Sequence, residues 1–370
     1  MTEDNEAEKA AASDVDALVR HAVEKRASDI LIVPGEVPAL RIDGNLSRVA
    51  DAPRLAPETC RNLIYSMLDR RQKAQFEREL ELDFAHTVAG AGRLRINVFL
   101  QNRGMAAVFR VIPGRIPTPE EIGLPPTVVA LTDLPRGLVL VTGATGSGKS
   151  TTLAAMIESV NQRREKHILT IEDPIEHVYE DKKSIIEQRE VGVHSASFAS
   201  AVKYSLRQNP DIILIGEMRD RETVSLALTA AETGHLCLST LHTQDAPTTV
   251  DRIIDEFPSS EQDKVRSQLS SMLSAVVCQT LLPRKGGGGM ICAREIMLMS
   301  PAIATLIREG KIHQIYSAME SGASSGMMSL DQHLVGLVKG GHVTMEDALL
   351  KARDPKTLRS LAAMSRVAPH

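Results

Sequence analysis

Residues 143–150 place glycines, a lysine and a serine at a spacing that binds nucleotide phosphates. The segment reads Gly143-Ala-Thr-Gly-Ser-Gly-Lys-Ser150 and satisfies the pattern G-x-x-x-x-G-K-[ST]. Its glycines let the backbone wrap closely around phosphate oxygens, and N–H groups at a helix N-terminus point at them. Lys149 would neutralise the β- and γ-phosphates, and the Ser150 hydroxyl would bind Mg²⁺. The residues predicted to hold the nucleotide are Gly143, Ala144, Thr145, Gly146, Ser147, Gly148, Lys149, Ser150 and Thr151.

The segments on either side of this phosphate loop have the pattern that the motif requires. Leu138–Val141 is an apolar, β-branched run that is typical of a buried strand. Thr151–Ile157 follows the loop with the composition of a helix. Strand, loop and helix in this order favour a nucleotide-hydrolase loop over an ordinary glycine-rich turn.

Three other apolar runs end in acidic residues or in a histidine. Residues 167–171 precede Glu172-Asp-Pro-Ile-Glu176, residues 211–215 precede Gly216-Glu217, and residues 236–241 precede His242. In an open α/β sheet, ligands bind outside the carboxyl ends of the strands. We therefore expect these side chains to lie along the edge that holds the phosphate loop.

The carboxylates at these strand ends have roles that nucleotide hydrolysis needs. Glu217 follows a strand of Walker B type, where it can hold the Mg²⁺ shell or accept a proton from the attacking water. Glu172 and Asp173 can organise the metal, and Glu176 can organise the water. Ordinary turn and capping positions are the alternative for these three residues, and a solvated loop is the alternative for Glu217.

Two histidines are candidates for contact with the nucleotide. His242 follows the run 236–241, so its imidazole can sense the γ-phosphate from the same sheet edge. His235 follows Gly234, which is a natural residue just beyond the end of a helix. A lone histidine is more often a surface or packing residue, and that alternative stays open for both.

Arginines line one face of a predicted strand upstream of the phosphate loop. Residues 93–98 alternate basic or polar side chains with apolar ones, which places Arg95 on the polar face. Arg103 falls in the following turn and Arg110 on the next predicted strand. Because phosphoryl transfer often recruits an arginine from a neighbouring subunit or domain, these three are candidates to stabilise transition-state charge. A solvated β face is the alternative.

The first part of the chain divides into a tail, a small domain and a linker. Residues 1–12 are polar and are predicted to be a disordered tail. Residues 13–112 have the strand, hairpin and helix signals of a small α+β domain, including a hairpin turn at Asp43-Gly44. Five prolines make residues 113–126 a stiff linker.

The rest of the chain, residues 127–370, predicts an α/β domain. Strand-like apolar runs alternate with helix-like segments, which favours a parallel sheet covered by helices. Gly286–Gly289 is predicted to be a flexible loop between an apolar helix and the run at 290–297. The tail from residue 302 to about residue 361 has a mostly helical pattern. No internal repeat at solenoid period is present.

The composition argues against several classes of protein. The chain has 370 residues, 43% of them hydrophobic and 24% charged, which is ordinary for a soluble protein. A net charge of −4, no Trp and 3% aromatic residues argue against nucleic-acid binding. No apolar run approaches the about 20 residues that span a bilayer, and the acidic N-terminal residues lack the basic-then-apolar order of a signal peptide, so we expect a cytoplasmic protein. The four cysteines form no C-x-x-C pair, which argues against a zinc site.

Several stretches together resemble the type IV pilus retraction ATPase family (PilT) of the secretion ATPase superfamily. They are Ala27-Ser-Asp29, Gln101-Asn-Arg-Gly104, Pro135–Gly143, Thr170–Glu176, Gly216-Glu-Met-Arg-Asp220, Glu232-Thr-Gly-His235 and Thr240-Leu-His-Thr243. The resemblance implies a PAS-like N-terminal domain, a RecA-like ATPase domain and a ring-shaped homohexamer. It further implies a motor that uses ATP and Mg²⁺ at the inner face of the cytoplasmic membrane to drive pilus retraction and twitching motility. The implied partners are an inner-membrane pilus platform protein and, as a further candidate, a second pilus ATPase.

The resemblance also implies roles for individual residues. The stretch Glu172–Glu176 matches the family's Asp box, and Glu217 matches its catalytic glutamate. His235 and His242 match its His box. The three arginines named above fall where the family carries nucleotide-contacting arginines.

One motif near the C-terminus departs from the family pattern. Where the family reads A-I-R-N-L-I-R-E, this chain reads Ala302-Ile-Ala-Thr-Leu-Ile-Arg-Glu309. Ala304 and Thr305 replace an arginine and an asparagine, which bears on coupling to retraction and not on nucleotide chemistry. An accessory (PilU-like) retraction ATPase therefore stays open as an alternative.

Three further alternatives differ in features that can be checked. A pilus assembly or type II secretion ATPase typically carries a four-cysteine zinc module and a longer N-terminal region. A DNA-translocating motor would show DNA-stimulated hydrolysis. An adaptor that is only gated by nucleotide would bind ATP and show no steady-state turnover.

We predict that Lys149→Ala abolishes ATP hydrolysis and weakens nucleotide binding while the fold stays intact. The ammonium group would act on the phosphates of the ligand, so its loss removes binding and transition-state stabilisation together. Steady-state hydrolysis and nucleotide binding, measured on a variant whose circular dichroism matches the wild type, test this. Wild-type turnover in such a variant would contradict the assignment of the loop.

Overall fold

The computed structural model describes residues 15–42, 44–50, 52–112 and 114–364. The predicted tail at 1–12, Asp43 of the predicted hairpin and Pro113 of the predicted linker lie outside these residues. Contacts divide the chain into two compact units. The N-terminal unit comprises residues up to Arg115 together with Pro174–Val178, and the C-terminal unit comprises Ile116–Asp173 together with residues from Tyr179 onward. Within the described part of the chain, no helix is both long and apolar enough to cross a membrane.

The N-terminal unit combines helices with an antiparallel sheet. Its elements are α1 (Val15–Glu24), β1 (Asp29–Ile32), β2 (Ala39–Ile42), β3 (Asn45–Arg48), α2 (Pro57–Met67), α3 (Arg70–Glu79), β4 (Glu81–Val88), β5 (Gly92–Gln101) and β6 (Gly104–Ile112). The strands follow the order β3-β2-β1-β6-β5-β4, and every neighbouring pair is antiparallel.

Strand β5 shows how the sequence pattern sets the two faces of this sheet. Leu94, Ile96 and Val98 are fully buried, whereas Arg95 and Asn97 are exposed. Because successive side chains point to opposite faces of a strand, one face joins the core and the other carries polar groups. The alternation predicted for residues 93–98 is therefore confirmed.

Helix α3 is an element that the sequence analysis missed. Phe76 is its single buried residue, so the helix lacks the apolar stripe by which amphipathic helices are recognised. A capping box begins it instead. Asp69 Oδ1 accepts from Gln72 N at 2.8 Å, and Asp69 N donates to Gln72 Oε1 at 3.0 Å.

The C-terminal unit alternates strands and helices. Its elements up to the last strand are α4 (Pro126–Val129), β7 (Gly137–Thr142), α5 (Lys149–Arg163), β8 (His167–Glu172), β9 (Ile185–Glu190), α6 (Phe198–Ser205), β10 (Ile212–Ile215), α7 (Arg221–Glu232), β11 (Leu236–Leu241), α8 (Ala246–Asp255), α9 (Ser259–Met272), β12 (Leu273–Pro283) and β13 (Met290–Leu298). Helices α10 (Pro301–Arg308), α11 (Ile315–Ser321), α12 (Leu330–Lys339), α13 (Met345–Lys351) and α14 (Pro355–Met364) follow. Short 3₁₀ helices cover Ala130–Asp133, Ile312–Gln314 and Ala323–Ser325.

The strands of this unit form one sheet in the order β13-β12-β7-β11-β10-β8-β9. All neighbouring pairs are parallel except β12 and β13, which form an antiparallel hairpin. Alternate residues of β7 enter two separate cores, since Leu138 and Leu140 join one and Val139 and Val141 join the other. The sheet is therefore covered on both faces, as parallel sheets are, and the predicted α/β architecture is confirmed.

The apolar helix predicted before Gly286–Gly289 is wrong. Residues Leu273–Pro283 form strand β12, which pairs in parallel with β7 and antiparallel with β13. A continuous apolar run has no visible period, so the pattern alone does not separate a buried strand from a buried helix. The run forms a strand because the edge of β7 is free to pair with it and because the β-branched residues Val276 and Val277 favour strands.

Helices α12, α13 and α14 pack around a small core on the β12–β13 hairpin. That core contains Leu282, Ala293, Leu334, Val335, Leu337, Val343, Ala348 and Leu358. The hairpin therefore forms the end of the sheet on which the C-terminal helices pack, and its strand β12 pairs with β7, the strand that leads into the phosphate loop.

Glu295 is a buried carboxyl group on β13. It is 2% exposed and accepts a hydrogen bond from Ala246 N, at the start of α8, over 2.8 Å. Burial raises the pKa of Glu295 from 4.5 to about 7, and the nearby Asp245 carboxylate adds to the rise. The hydrogen bond from Ala246 and the charge of Arg353 oppose it.

We predict that Glu295 makes the stability of the protein fall as pH rises. Because its pKa is higher in the folded than in the unfolded chain, its contribution is complete below about pH 4.5 and is lost as pH rises through about 7. The loss amounts to at most about 3 kcal/mol. Glu295→Gln keeps an acceptor for Ala246 and cannot ionise, so its stability advantage over the wild type should grow between pH 5 and pH 8 in urea unfolding.

Glu309→Gln is the matched control for this experiment. Glu309 is exposed, and a hydrogen bond from Lys311 lowers its pKa, so it is ionised in both states throughout this pH range. Its difference from the wild type should not vary between pH 5 and pH 8. A constant difference for Glu295→Gln as well would contradict the role assigned to that carboxyl.

Candidate functional site

The phosphate loop connects β7 to α5 and is closely packed. Gly143, Gly146 and Gly148 have φ values of +142°, +77° and +88°, in the region that favours glycine. A Cβ on Gly143 would lie 2.4 Å from the carbonyl oxygen of Gln279 and 2.6 Å from Ser147 Oγ. The curvature of the loop therefore depends on glycine at its first position.

Buried polar groups in the loop fit a phosphate ligand. Ser147 Oγ is buried and has no hydrogen-bond partner among the residues described. Lys149 is also buried, and its Nζ donates to the carbonyl oxygens of Gly143 at 2.8 Å and Ala144 at 3.1 Å. Burying an ammonium group and a hydroxyl is costly unless each has partners. Phosphate oxygens would supply acceptors for both, so the loop residues fit a nucleotide.

The strand order brings the predicted residues together at one edge of the sheet. The phosphate loop follows β7, His242 follows β11, Glu217 follows β10, and Glu172-Asp173 ends β8. Since these four strands are parallel neighbours, their carboxyl ends lie side by side in that order. A hydrogen bond from Gly143 N to Leu241 O, 3.3 Å long, joins the first two.

Glu217 lies at the centre of a polar cluster on this edge. Its Oε1 is 3.2 Å from His242 Nε2, and its Oε2 is 2.8 Å from Arg219 Nε. The side chain of Glu217 is 18% exposed, against 44% for His242. Thr240 Oγ1 donates to Gly216 O at 2.6 Å and so fixes the turn that carries Glu217. A carboxylate held in this way and still reached by water can orient a water molecule and accept its proton.

The acidic residues at the end of β8 and just after it belong to two different units of the chain. Glu172 Oε1 accepts from Thr170 Oγ1 at 2.7 Å and from Gln188 Nε2 at 3.3 Å, so its carboxylate is held by β8 and β9. Asp173 is exposed at the end of β8. Glu176 belongs to the segment Pro174–Val178, which groups with the N-terminal unit. The metal and water roles of these three residues stay predictions.

His235 lies at the opposite edge of the sheet from the phosphate loop. It precedes β11 and His242 follows it, and a strand of six residues spans about 20 Å. Its Nδ1 is 3.0 Å from Ala230 O and 3.3 Å from Thr233 Oγ1, at the end of α7. The structure therefore does not bring His235 to the phosphate loop of its own chain, because parallel strands place all their amino ends at the other edge.

The three candidate arginines lie in the N-terminal unit. Arg95 and Arg110 are direct cross-strand partners on β5 and β6, so they share one face of that sheet. Arg110 Nε is 3.1 Å from Asp29 Oδ1, and Arg103 Nη1 is 3.4 Å from Glu36 Oε1. Their role as nucleotide contacts stays a prediction.

Gln279 is a neighbour of the phosphate loop that the sequence analysis missed. It lies on β12, beside β7, where its Nε2 donates to the Ser147 carbonyl over 3.4 Å. Its side chain is buried. The one signal in the sequence is a polar residue within an apolar run, and that signal does not tell which strand lies beside it.

A cavity of about 470 Å³ also borders the phosphate loop. Gly148 and Thr151 lie on one side of it, and Leu281, Ile291 and Leu337 supply apolar walls. Ligand pockets commonly have this size and combine apolar walls with a few polar groups. The position next to the helix N-terminus suits the nucleoside part of a nucleotide whose phosphates occupy the loop.

A phosphate loop on a mostly parallel sheet, with a glutamate and a histidine in contact at adjacent strand ends, defines a P-loop nucleotide hydrolase. Residues 4–286 match the family model described as Type II/IV secretion system protein. The chain is 49% identical over 343 residues to the type IV pilus retraction ATPase PilT of Pseudomonas aeruginosa, covering 93% of this chain and 99% of that protein. It is 42% identical over 342 residues to the type IV pilus ATPase PilU of the same organism, covering 92% and 89%.

A solved structure agrees with these relatives. The crystal structure of the pilus retraction motor PilT with bound ADP matches with a TM-score of 0.89 at 46% identity, covering 94% of this chain and 99% of that one. This chain therefore belongs to the type IV pilus retraction ATPase (PilT) family of the secretion-system proteins, and it is an ATP hydrolase.

We predict that Glu217→Gln binds ATP as the wild type does and hydrolyses it poorly. The amide keeps the shape of the side chain and loses the proton acceptor, which typically costs about 10²–10⁴-fold in rate. Nucleotide binding and single-turnover hydrolysis measure the two effects separately. Glu222→Gln, an exposed position on α7, is the matched control and should hydrolyse normally. Unchanged turnover in Glu217→Gln, or loss of binding and turnover together, would remove Glu217 from this role.

Proposed function

We propose that this protein is a ring-shaped ATPase motor that drives retraction of a type IV pilus and thereby twitching motility. The observation that carries the proposal is the 49% identity to PilT over nearly the full length of both chains. The contact between Glu217 and His242 beside the phosphate loop supplies the chemistry that such a motor needs.

In the proposed reaction, the phosphate loop binds the triphosphate of ATP and Lys149 shifts from the loop carbonyls to the phosphates. Glu217 orients the attacking water and accepts its proton. His242 lies between the phosphate loop and Glu217 in the strand order, which supports a role in sensing the γ-phosphate. In this proposal, His242 couples the presence of the γ-phosphate to the orientation of Glu217, the general base.

Mg²⁺ is the metal that we expect with the nucleotide, where it would neutralise charge on the phosphate oxygens. The part of the chain that the structure describes contains no group of three or more His, Cys, Asp or Glu residues that could hold a metal. Mg²⁺ in nucleotide sites takes most of its ligands from phosphates and water. The protein ligands that we propose are the Ser150 hydroxyl and a carboxylate from Glu172 or Asp173.

The finer fold assignment that we propose is a PAS-like domain at 13–112, a linker at 113–126 and a RecA-like ATPase domain with C-terminal helices at 127–370. The antiparallel sheet with its helices supports the first assignment, and the phosphate loop on a mostly parallel sheet supports the last. The proposed assembly is a homohexamer at the inner face of the cytoplasmic membrane. Its proposed partners are a pilus platform protein and, as a further candidate, a second pilus ATPase, with no nucleic acid.

An accessory role, as in PilU, is the second candidate, and the departure at Ala304 and Thr305 favours it. Both lie on α10, where Ile303 and Ile307 face the core while Thr305 is exposed. Ala304 is half-buried, so the replacement at Thr305 is the one that changes the exposed surface of the helix and bears on contact with a partner. The higher identity to PilT than to PilU favours the retraction motor.

Deletion of the gene tests the proposed function. Surface pili should accumulate, because assembly would continue without retraction. Loss of pili would indicate an assembly ATPase and would contradict the proposal. Unchanged piliation with weakened retraction force would favour the accessory role.

We predict that at least one of Arg95, Arg103 and Arg110 reaches the nucleotide of a neighbouring subunit. Such an arginine can contribute about 10³–10⁵ in rate. Mixing subunits tests this: an arginine-to-alanine variant and Lys149→Ala, each inactive alone, should regain part of the hydrolysis in mixed rings. Some interfaces would then join an intact phosphate loop to an intact arginine.

A mixture of Lys149→Ala with Glu217→Gln is the control for this experiment. Both changes damage the same half of a site, so no interface regains a complete set and activity should stay low. If mixed rings form and none of the three arginine pairings restores hydrolysis, the arginines do not act across the interface.

A further inference from the structure

Gln279 and Arg294 form a buried cross-strand pair beside the phosphate loop. They are direct partners in the antiparallel ladder of β12 and β13, so their side chains share one face of the sheet with Cβ atoms about 5 Å apart. Arg294 is 2% exposed and Gln279 is 5% exposed. Both border the cavity next to Gly148 and Thr151.

Arg294 holds the segment by which the chain enters the C-terminal unit. Its Nη1 donates to Gly123 O at 2.7 Å, and its Nη2 donates to Ile122 O at 2.9 Å. Its Nε is buried and has no hydrogen-bond partner among the described residues. Burying a guanidinium group is costly, and carbonyl dipoles return only part of that cost. Stability alone therefore gives little reason for an arginine at this position.

Gln279 is the member of the pair that contacts the phosphate loop. Its side-chain Nε2 donates to Ser147 O over 3.4 Å, and its backbone carbonyl oxygen occupies the space that a Cβ on Gly143 would need. The Nε2 also lies 3.2 Å from Cys292 Sγ on β13. The bond to Ser147 is long for an N–H···O hydrogen bond, so a small movement of the loop strengthens or breaks it.

We propose that Gln279 and Arg294 link the phosphate loop to segment 118–124, so that nucleotide in the loop sets the position of that segment. Both act as positioning residues, through Ser147 at one end and through Ile122 and Gly123 at the other. The cavity favours the same coupling, because Ile122 and Gly123 border it together with Gly148. The proposal rests on the proposed function in one respect, which is that the phosphate loop binds nucleotide.

Hydrogen–deuterium exchange of segment 118–124 with and without ADP tests the link in the full-length protein. The amides of Ile122, Gly123 and Leu124 donate to backbone carbonyls of the same segment, so their exchange reports on its order. In the wild type, ADP should slow their exchange. Arg294→Gln should still bind ADP and lose this protection, because a shorter, neutral amide cannot hold both carbonyls. Arg294→Lys keeps the charge and should retain part of the protection.

Arg359→Gln is the matched control. Arg359 lies on α14 with an exposed side chain and does not border the cavity, so this variant should keep the full protection by ADP. Gln279→Met breaks the other end of the link without removing a charge, so it tests the proposed link even if Arg294→Gln does not fold. It should bind ADP and lose the protection, and the double variant should lose no more than either single one.

The outcomes separate this proposal from the proposed function. If the wild type binds no ADP, the proposed function itself fails. If the wild type binds ADP and hydrolyses ATP while exchange of segment 118–124 does not change, the link alone is wrong. Normal protection by ADP in a folded Arg294→Gln or Gln279→Met variant would also overturn the link.

Discussion

The close packing of the phosphate loop against strand β12 is the constraint on which the rest of the site depends. The carbonyl of Gln279 leaves no room for a side chain at Gly143, so the loop can turn only with glycine there. That contact requires β12 to lie beside β7, and β7 is wholly buried while β12 is buried along most of its length. The hydrophobic cores on the two faces of the sheet therefore hold the loop in place.

The parallel direction of the strands then decides which residues lie beside the phosphate loop. The strand order carries His242 and Glu217 to the loop's edge, where the two side chains come within 3.2 Å. The same rule sends His235 to the far edge, although it is only seven positions from His242 in the sequence. Two histidines of one motif thus have different surroundings, and only one lies at the phosphate-binding edge of its own chain.

Three buried ionisable side chains in the C-terminal unit are held by backbone dipoles. Lys149 and Arg294 donate to carbonyl oxygens, and Glu295 accepts from an N–H group at the start of α8. Backbone dipoles return only part of the cost of removing such groups from water. Lys149 lies in the phosphate loop and Arg294 lies beside it. Both buried cations are therefore close enough to the loop to respond to a bound ligand. Glu295 lies on the same strand as Arg294 and connects the hairpin to α8.

The sequence alone determined the features that are local in the chain. The phosphate loop needs eight consecutive residues, and its strand and helix are adjacent to it, so residues 138–157 were readable without any tertiary contact. The positions of Glu217 and His242 at the ends of apolar runs, and the alternation along β5, were readable for the same reason. The motifs of the family also lie in short stretches, which is why the relationship was visible from the residues.

Only the tertiary structure decided what depends on pairing between distant segments. An apolar run such as 273–283 carries no period, and it became a strand because the edge of β7 was open to it. The same strands could pair in many other orders, and only the tertiary structure sets the order that puts His242 between the loop and Glu217. The cavity, Gln279 and the hold of Arg294 on Ile122 and Gly123 join residues more than a hundred positions apart. Such contacts follow from the packing of whole elements, and no local pattern in the sequence encodes them.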